Sequence, residues 1–454
     1  MSKTIDMTRG NPARHIITFA LPLIVTNIGQ QLYMIADAAI VGRGVGVQAL
    51  AAVGATDWCN WLILGTIVAL TQGFSTFISR YFGEKNYRAM NRTIAMSILL
   101  CIGMALILTV GGLAVTRPLL RLLNTPADIF DGAVLYLMTM VLGTMIVTAY
   151  NMSASILRAL GDGKSPMIAM VIAALLNIGL DSLFVFVFHW GIFGAALASL
   201  MSQLVSFLYC LLVLRKVECI QLTADLWRPD FTMLRKLFLF GLPVALQSIV
   251  ISLGGIVLQS SINVQGSAFI AGYTATNKVY GLLESSAISL GIACSTFVAQ
   301  NYGAGHPERV KQGVRASAGI VVLLAVVVSG AALLFREPLL RLFLDVKAEG
   351  GPEALGYAAR YLTIMAASLI ILYFLHVFRN ALQAMGIARW SLVSGMTELV
   401  ARIFMAKVAV NIIGSDALFL SEPVAWLGAM LSVLLPYFWY QKKLLGKDRE
   451  LATE

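Results

Sequence analysis

The chain has 454 residues, 59% of them hydrophobic and only 12% charged, against about 25% charged in soluble domains. With a mean hydropathy of +0.82 over the whole length, the apolar side chains exceed what a core surrounded by water could hold, so the chain reads as an all-α integral membrane protein. No soluble catalytic domain fits between the spans, and the net charge of +10 bears on loop placement rather than on nucleic acid.

The polar start MSKTIDMTRGNPARH has no short hydrophobic region and no cleavage motif, so the first span is expected to double as an uncleaved signal. Apolar segments follow at 16–42, 49–79, 93–116, 133–157, 166–188, 191–214, 237–262, 268–300, 314–335, 357–385, 390–413 and 422–441. These are twelve candidate transmembrane helices, since runs of this length satisfy every backbone donor and acceptor locally, as hydrocarbon demands. Basic residues gather in alternate connections, Arg80, Lys85, Arg88 and Arg92 and then Arg215, Lys216, Arg228, Arg235 and Lys236. The positive-inside rule then places both termini in the cytoplasm of a multi-pass protein of the cell (inner) membrane, with the loop 84–92 inside and the loop 128–131 outside. The longest polar connection lies near the midpoint. It divides the chain into an N-lobe, 1–215, with spans one to six; a cytoplasmic linker, 216–236; and a C-lobe, 237–454, with spans seven to twelve and a short tail.

The second half echoes the first. Ser75-Thr-Phe-Ile-Ser-Arg-Tyr-Phe-Gly83 matches Ser295-Thr-Phe-Val-Ala-Gln-Asn-Tyr-Gly303, and Arg117-Pro-Leu-Leu-Arg-Leu matches Arg336-Glu-Pro-Leu-Leu-Arg-Leu. Pro22 and Pro243 keep the register, as do Tyr136 with Tyr361 and Gly161 with Gly386. Six spans per unit make both units enter the membrane from the same side, so they are expected to be parallel repeats related by a pseudo-two-fold axis along the membrane normal. Transporters built in this way hold substrate near the midplane between halves.

Chemistry is sparse. Cys59, Cys101, Cys210, Cys219 and Cys294 form no disulfide framework, and the four histidines make no zinc-like grouping. Gly161-Asp-Gly-Lys-Ser165 has the ending of a phosphate-binding loop, but Arg158 stands where the first glycine is required and membrane helices flank it, so it reads as a turn. Five carboxylates fall within apolar spans: Asp37, Asp57, Asp181, Glu284 and Glu398. Each costs ~2.5 to 3.5 kcal/mol there and needs a partner, a bundle interior or a wet path. Gln30, Tyr33 and Asp37 share one helical face of the first span, and Asn177 and Asp181 share a face of the fifth. Two acidic faces with neutral oxygen donors beside them suit either a small hard cation such as Na+, or a shared proton, or a structural hydrogen-bond cluster. In the second half Glu398 and Arg402 stand four apart in the favourable order for an intrahelical ion pair. They serve either as a self-neutralising structural pair or as a gate. Asp57 and its repeat equivalent Asn277 lie nearer the outer ends of their spans, which suits a wet, structural position. Glu284 is the C-half candidate for a substrate contact, and the 19 Met and 22 Phe, Met170 among them, suit an adaptable apolar cavity.

Three stretches together give the chain a family resemblance. Leu21-Pro22, Gln30-Gln-Leu-Tyr33, Asp37, Val41-Gly42-Arg43 and Ala49-Leu-Ala-Ala-Val-Gly54 form the first, Ser79-Arg-Tyr-Phe-Gly83 the second, and Arg158-Ala-Leu-Gly-Asp-Gly-Lys-Ser-Pro166 with Asn177-Ile-Gly-Leu-Asp181 the third. The whole chain resembles the multidrug and toxic compound extrusion (MATE) family, nearest to its bacterial DinF-like and MepA-like branch. The resemblance implies an exporter of two six-helix lobes that moves lipophilic, mainly cationic compounds outward against Na+ or H+, with no cofactor and no enzymatic step. It implies a cation site at Asp37, Asn177, Asp181 and Ser199, the last standing where threonine is common. Gln30, Tyr33 and Asn151 would be polar neighbours in the N-lobe cavity. Ala55-Thr-Asp57-Trp-Cys departs from the family pattern after Gly54, which bears on substrate choice. The expected partners are small lipophilic cations and membrane lipid, with the protein a monomer. A lipid-linked saccharide flippase of the same superfamily is the alternative, but its polyanionic cargo would want a cavity rich in Arg and Lys, and the N-half spans carry none mid-span. A membrane-embedded enzyme would need a nucleophile with a base or a metal cluster, and the sequence shows neither.

Overall fold

The computed structural model describes residues 4–451 other than 124, 345–346 and 348–349, and among these all regular structure is helical. In chain order α1 covers Pro12–Gly44, α2 Val47–Gly83 and α3 Tyr87–Leu122. α4, Ala127–Leu142, and α5, Thr144–Ala159, form one span bent by 47°. α6, Lys164–Ser182, runs on into a π-turn at Leu183–Val187, and α7 covers Gly191–Leu214. The second half holds α8, Phe231–Ile262; α9, Ser267–Gly303; α10, Pro307–Leu334; the short α11, Arg336–Arg341; and α12, Gly351–Ala384. α13, Arg389–Phe404, passes through a second π-turn, Met405–Ala409, into α14, Val410–Ile413, and α15 covers Asp416–Leu451.

Among the described residues ten helices are long and apolar enough to cross a membrane, and the bent α4–α5 pair supplies an eleventh. The twelfth span is α13–α14, which is less apolar because it carries Arg389, Glu398, Arg402 and Lys407. Polar residues survive inside these spans because hydroxyls bond back to their own helix. Thr71 donates to the Ile67 carbonyl at 2.9 Å, Thr116 to Gly112 at 2.6 Å and Ser289 to Ser285 at 2.7 Å.

Helix boundaries move two of the loop assignments. Asp128 and Asp131 stand on the first turns of α4 rather than in a loop, and the connection after α2 is only residues 84–86, with Arg88 and Arg92 already on α3. In that turn Lys85 has φ 60°, and the repeat places Gly305 at φ 71° in the turn between α9 and α10. The Gly161-Asp-Gly-Lys-Ser165 segment is a turn that starts α6: Gly161 has φ 81°, and Asp162 Oδ1 accepts the backbone N–H groups of Lys164 and Ser165 at 3.1 and 2.9 Å. Asp162 therefore fills the helix N-terminus that a phosphate would occupy in a nucleotide-binding loop.

The chain packs as two compact units, Met1–Asp6 with Val25–Ala245, and Met7–Ile24 with Leu246–Glu454. Each takes in the leading part of the other half's first helix. The changeover falls two residues beyond Pro22 in α1 and two beyond Pro243 in α8, where a proline has removed one backbone hydrogen bond. In the first unit the α4–α5 bend is set by close packing, since a Cβ on Gly143 would lie 2.0 Å from Leu200 Cδ2 on α7. The leading part of α8 joins this unit through Gly73 of α2, where a Cβ would meet the Gly241 Cα at 3.2 Å. In the second unit α9 and α12 pack along their length. Stacked rings run from Tyr273 to Tyr361 (4.8 Å between centroids), from Tyr361 to Phe419 (5.2 Å) and from Phe419 to Phe269 (4.8 Å). The segment before α1 is tied down in the same unit, where Gln300 Oε1 accepts the Met7 N–H at 2.9 Å and Arg309 donates to the Met7 and Gly10 carbonyls at 3.1 Å.

Candidate functional site

The first unit brings the two acidic faces together. Asp37 stands on α1 seven residues before its end at Gly44, and Asp181 lies at the end of α6, immediately before the π-turn. Their carboxyl groups are close enough for a hydrogen bond to join them when one carries a proton. Asp181 is fully buried, and neither of its oxygens has a hydrogen-bond partner; Asp37 Oδ1 and Asn177 Oδ1 are likewise buried without one. Asn177 stands one turn before Asp181, and its Nδ2 donates to Ser199 Oγ on α7 at 3.3 Å. The amide is thereby oriented with its N–H toward the hydroxyl and its oxygen left over. Four oxygens from three side chains thus face no donor, which is an arrangement for receiving a cation or a proton. Among the described residues no group of three or more His, Cys, Asp or Glu is placed to hold a metal ion, so the site is a carboxylate pair with neutral oxygens rather than a transition-metal centre.

Local structure explains the meeting of the two helices. A π-turn widens a helix by one residue and recurs at functional positions. Here it carries Val185 into a cluster with Val41, Ala49, Val53, Tyr136, Ala195 and Ala196. Val41 lies one turn beyond Asp37 and Val185 one turn beyond Asp181, so this apolar cluster caps the carboxylates at one end. α1 approaches the π-turn so closely that a Cβ on Gly44 would lie 2.3 Å from Val185 Cγ1. Tyr33, one turn before Asp37, and Tyr136 on α4 both lie within electrostatic reach of both carboxylates, and Tyr150 on α5 lies near Tyr33. Tyr136 and Tyr150 escaped the sequence reading, in which Tyr136 figured only as a repeat marker.

The other expected residues are more dispersed. Gln30 is half-buried on α1, one turn before Tyr33. Asn151 donates to the Val147 carbonyl of its own helix at 2.8 Å. Met170 is buried on α6 eleven residues before Asp181, about 16 Å along the helix axis, so it lies well away from the pair. Asp57 is exposed on α2.

The second unit holds a different constellation. Glu398 and Arg402 on α13 pair at 3.1 Å, and they are the middle of a longer chain. Arg379 of α12 donates to Glu398 Oε1, while Arg402 grips Glu422 of α15 with two bonds of 3.0 and 2.8 Å. Glu284 on α9, with Tyr280 beside it, lies within electrostatic reach of Glu398, Arg402 and Glu422. As in the first unit, the charged groups precede a π-turn, here Met405–Ala409. Arg379 and Glu422 were not singled out from the sequence. Arg379 could have been, because a guanidinium inside the apolar segment 357–385 requires a buried partner.

Comparison with known proteins agrees with this architecture. The MatE family model matches twice, over residues 22–183 and 243–408, which keeps the register of the sequence repeat from Pro22 and Pro243 onward. The chain is similar to the probable multidrug resistance protein YpnP of Bacillus subtilis, 28% identical over 80% of each chain. It is also similar to the multidrug export protein MepA of Staphylococcus aureus, 24% identical over 92% of each. A crystal structure of MATE in the bent conformation superposes with a TM-score of 0.89 over 98% of this chain and 99% of that one, at 23% identity. With both halves of the chain matched by the family model and the fold shared, the chain belongs to the MatE family, the multidrug and toxic compound extrusion transporters, and is a multi-pass membrane protein of twelve helices in two lobes.

Proposed function

We propose that the protein is a secondary active exporter that moves lipophilic, mainly cationic small molecules out across the cell (inner) membrane in exchange for Na+ or H+, with both termini cytoplasmic. The observation that carries the reading is the Asp37–Asp181 carboxyl pair in the first unit, Asp181 buried and Asp37 half-buried, with three of its four oxygens lacking a donor. Two carboxylates in contact inside a low-dielectric core repel one another strongly unless a positive charge lies with them. A proton, a sodium ion or a cationic substrate relieves the same repulsion, so each competes with the others. Coupling follows if the ion binds one conformation better than the other. The names carried by the relatives, a multidrug resistance protein and a multidrug export protein, support small molecules as the cargo.

The carboxylates favour this reading over the flippase. Arg379 and Arg402 are each matched by a glutamate, so neither charge is left for a polyanionic saccharide lipid. The test is efflux of a cationic dye from proteoliposomes with sodium and pH gradients imposed separately. Either gradient should drive export, and dye that stays bound against both excess external Na+ and acid would remove the basis for exchange.

A further inference from the structure

The cavity between α13 and α15 in the second unit has no part in the site above. It is an open groove of about 520 Å³ lined by Arg389, Trp390, Leu431, Ser432, Leu435, Pro436, Trp439 and Tyr440. Its ends differ in chemistry. Leu431, Leu435 and Trp439 are spaced by four on α15 and form one stripe about 12 Å long. Arg389 lines the other end, its guanidinium carbon 5.9 Å from the Trp390 ring, and Lys443, one turn beyond Trp439 on α15 and outside the lining itself, holds its ammonium 5.5 Å from the Trp439 ring. Arg389 donates to the Tyr440 hydroxyl, which fixes it at the mouth while leaving other N–H groups to donate. Trp390 Nε1–H is buried without a hydrogen-bond partner, although an indole N–H so placed usually finds one. Among the described residues no carboxylate lines the cavity.

We propose that this groove binds one anionic phospholipid of the cytoplasmic leaflet. Its acyl chain lies along Leu431 and Leu435, its phosphate meets Arg389 and Lys443, and Trp390 Nε1–H donates to a phosphate or ester oxygen. The order of the groups along α15, apolar and then aromatic and then basic, is the order of a phospholipid from tail to headgroup. Tryptophan and tyrosine mark the headgroup level of a span, and a leaflet rich in anionic lipid attracts basic groups beside it. A soluble anion would use the basic end and leave the apolar stripe empty. The proposal goes beyond drug export and shares with it only the cytoplasmic placement of the C-terminal end of α15.

The test is native mass spectrometry of the full chain in detergent, titrated with phosphatidylglycerol and phosphatidylcholine of the same acyl chains. Wild type should retain phosphatidylglycerol preferentially. Arg389→Gln should weaken that binding about fivefold, the value of one basic residue near an anionic surface, and leave phosphatidylcholine unchanged. Ser432→Trp, which fills the groove and keeps both cations, should weaken both lipids. Equal retention of the two lipids by wild type, or unchanged phosphatidylglycerol binding in both variants, overturns the proposal, as does displacement of the lipid by inorganic phosphate alone. Transport is not read in this experiment, so its failure and a failure of the export reading are separate results.

Discussion

Substituting Glu398 by Gln keeps the volume of the side chain and removes one charge from the middle of the second unit's ion chain. Glu398 is 4% exposed at its side chain and receives Arg379 on one oxygen and Arg402 on the other. Breaking a buried pair by deleting one partner costs about 3 to 5 kcal/mol, because a charge is left uncompensated out of water. Arg402 keeps both of its bonds to Glu422, so the stranded group is Arg379 and the lower end, about 3 kcal/mol, applies. Glu422→Gln should cost less, about 1 to 2 kcal/mol, since Glu398 still engages both guanidiniums and Glu422 is 15% exposed, within reach of water. The double variant Arg379→Met with Glu398→Gln should recover half or more of the loss, because no charge is left stranded. Denaturant unfolding of the purified protein, followed by intrinsic fluorescence, gives the ranking. The reasoning fails if Glu398→Gln is no less stable than Glu422→Gln, or if the double variant loses as much as the two single ones together.

Three further outcomes are expected. Asp37→Asn and Asp181→Asn should fold and insert normally yet lose ion-coupled dye efflux, while Asp57→Asn, at an exposed position, should lose much less; wild-type efflux from well-folded Asp37→Asn would sink the carboxylate-pair mechanism. Gly44→Ala should cost about 1 to 3 kcal/mol by overpacking, since its Cβ would fall 2.3 Å from Val185, and should lower efflux by moving the π-turn that positions Asp181; unchanged melting temperature and efflux would show that α1 and the π-turn yield freely. A cysteine at Glu84 in the α2–α3 turn should react with an impermeant reagent only from the cytoplasmic side, and labelling from outside intact cells would reverse the topology.

The spans and the repeat were legible because hydrocarbon leaves a long apolar run no choice but helix, and because a duplicated six-helix unit repeats its turns. The glycine-like turn at Lys85 and Gly305 is the same backbone conformation written with different residues. Asp37 and Asp181 were legible as a pair of faces, since a carboxylate in an apolar span needs a reason. What the sequence did not carry was anything that depends on a second helix. The i,i+4 rule found Glu398 with Arg402 but is blind to Arg379 and Glu422, which arrive from α12 and α15. The break at Gly143 looked like uninterrupted helix because its cause is Leu200 on α7. Neither π-turn is visible in the sequence, since widening by one residue leaves apolar composition unchanged.

The exchange of helix segments between the packing units has a consequence for how the protein is made. Met7–Ile24 leaves the ribosome about 220 residues before Leu246, the start of the stretch with which it packs, and the first unit lacks its last piece until Phe231–Ala245 has been synthesised. Domains ordinarily fold one after another as they emerge. Here the first unit cannot finish before the second has begun, and the opening half of α1 must wait in the bilayer unpartnered until the rest of its unit is inserted. A chain cut in the connection between α7 and α8 would give two fragments, each holding a strip of the other's core, so that the two accumulate only when they are produced together in the same cell.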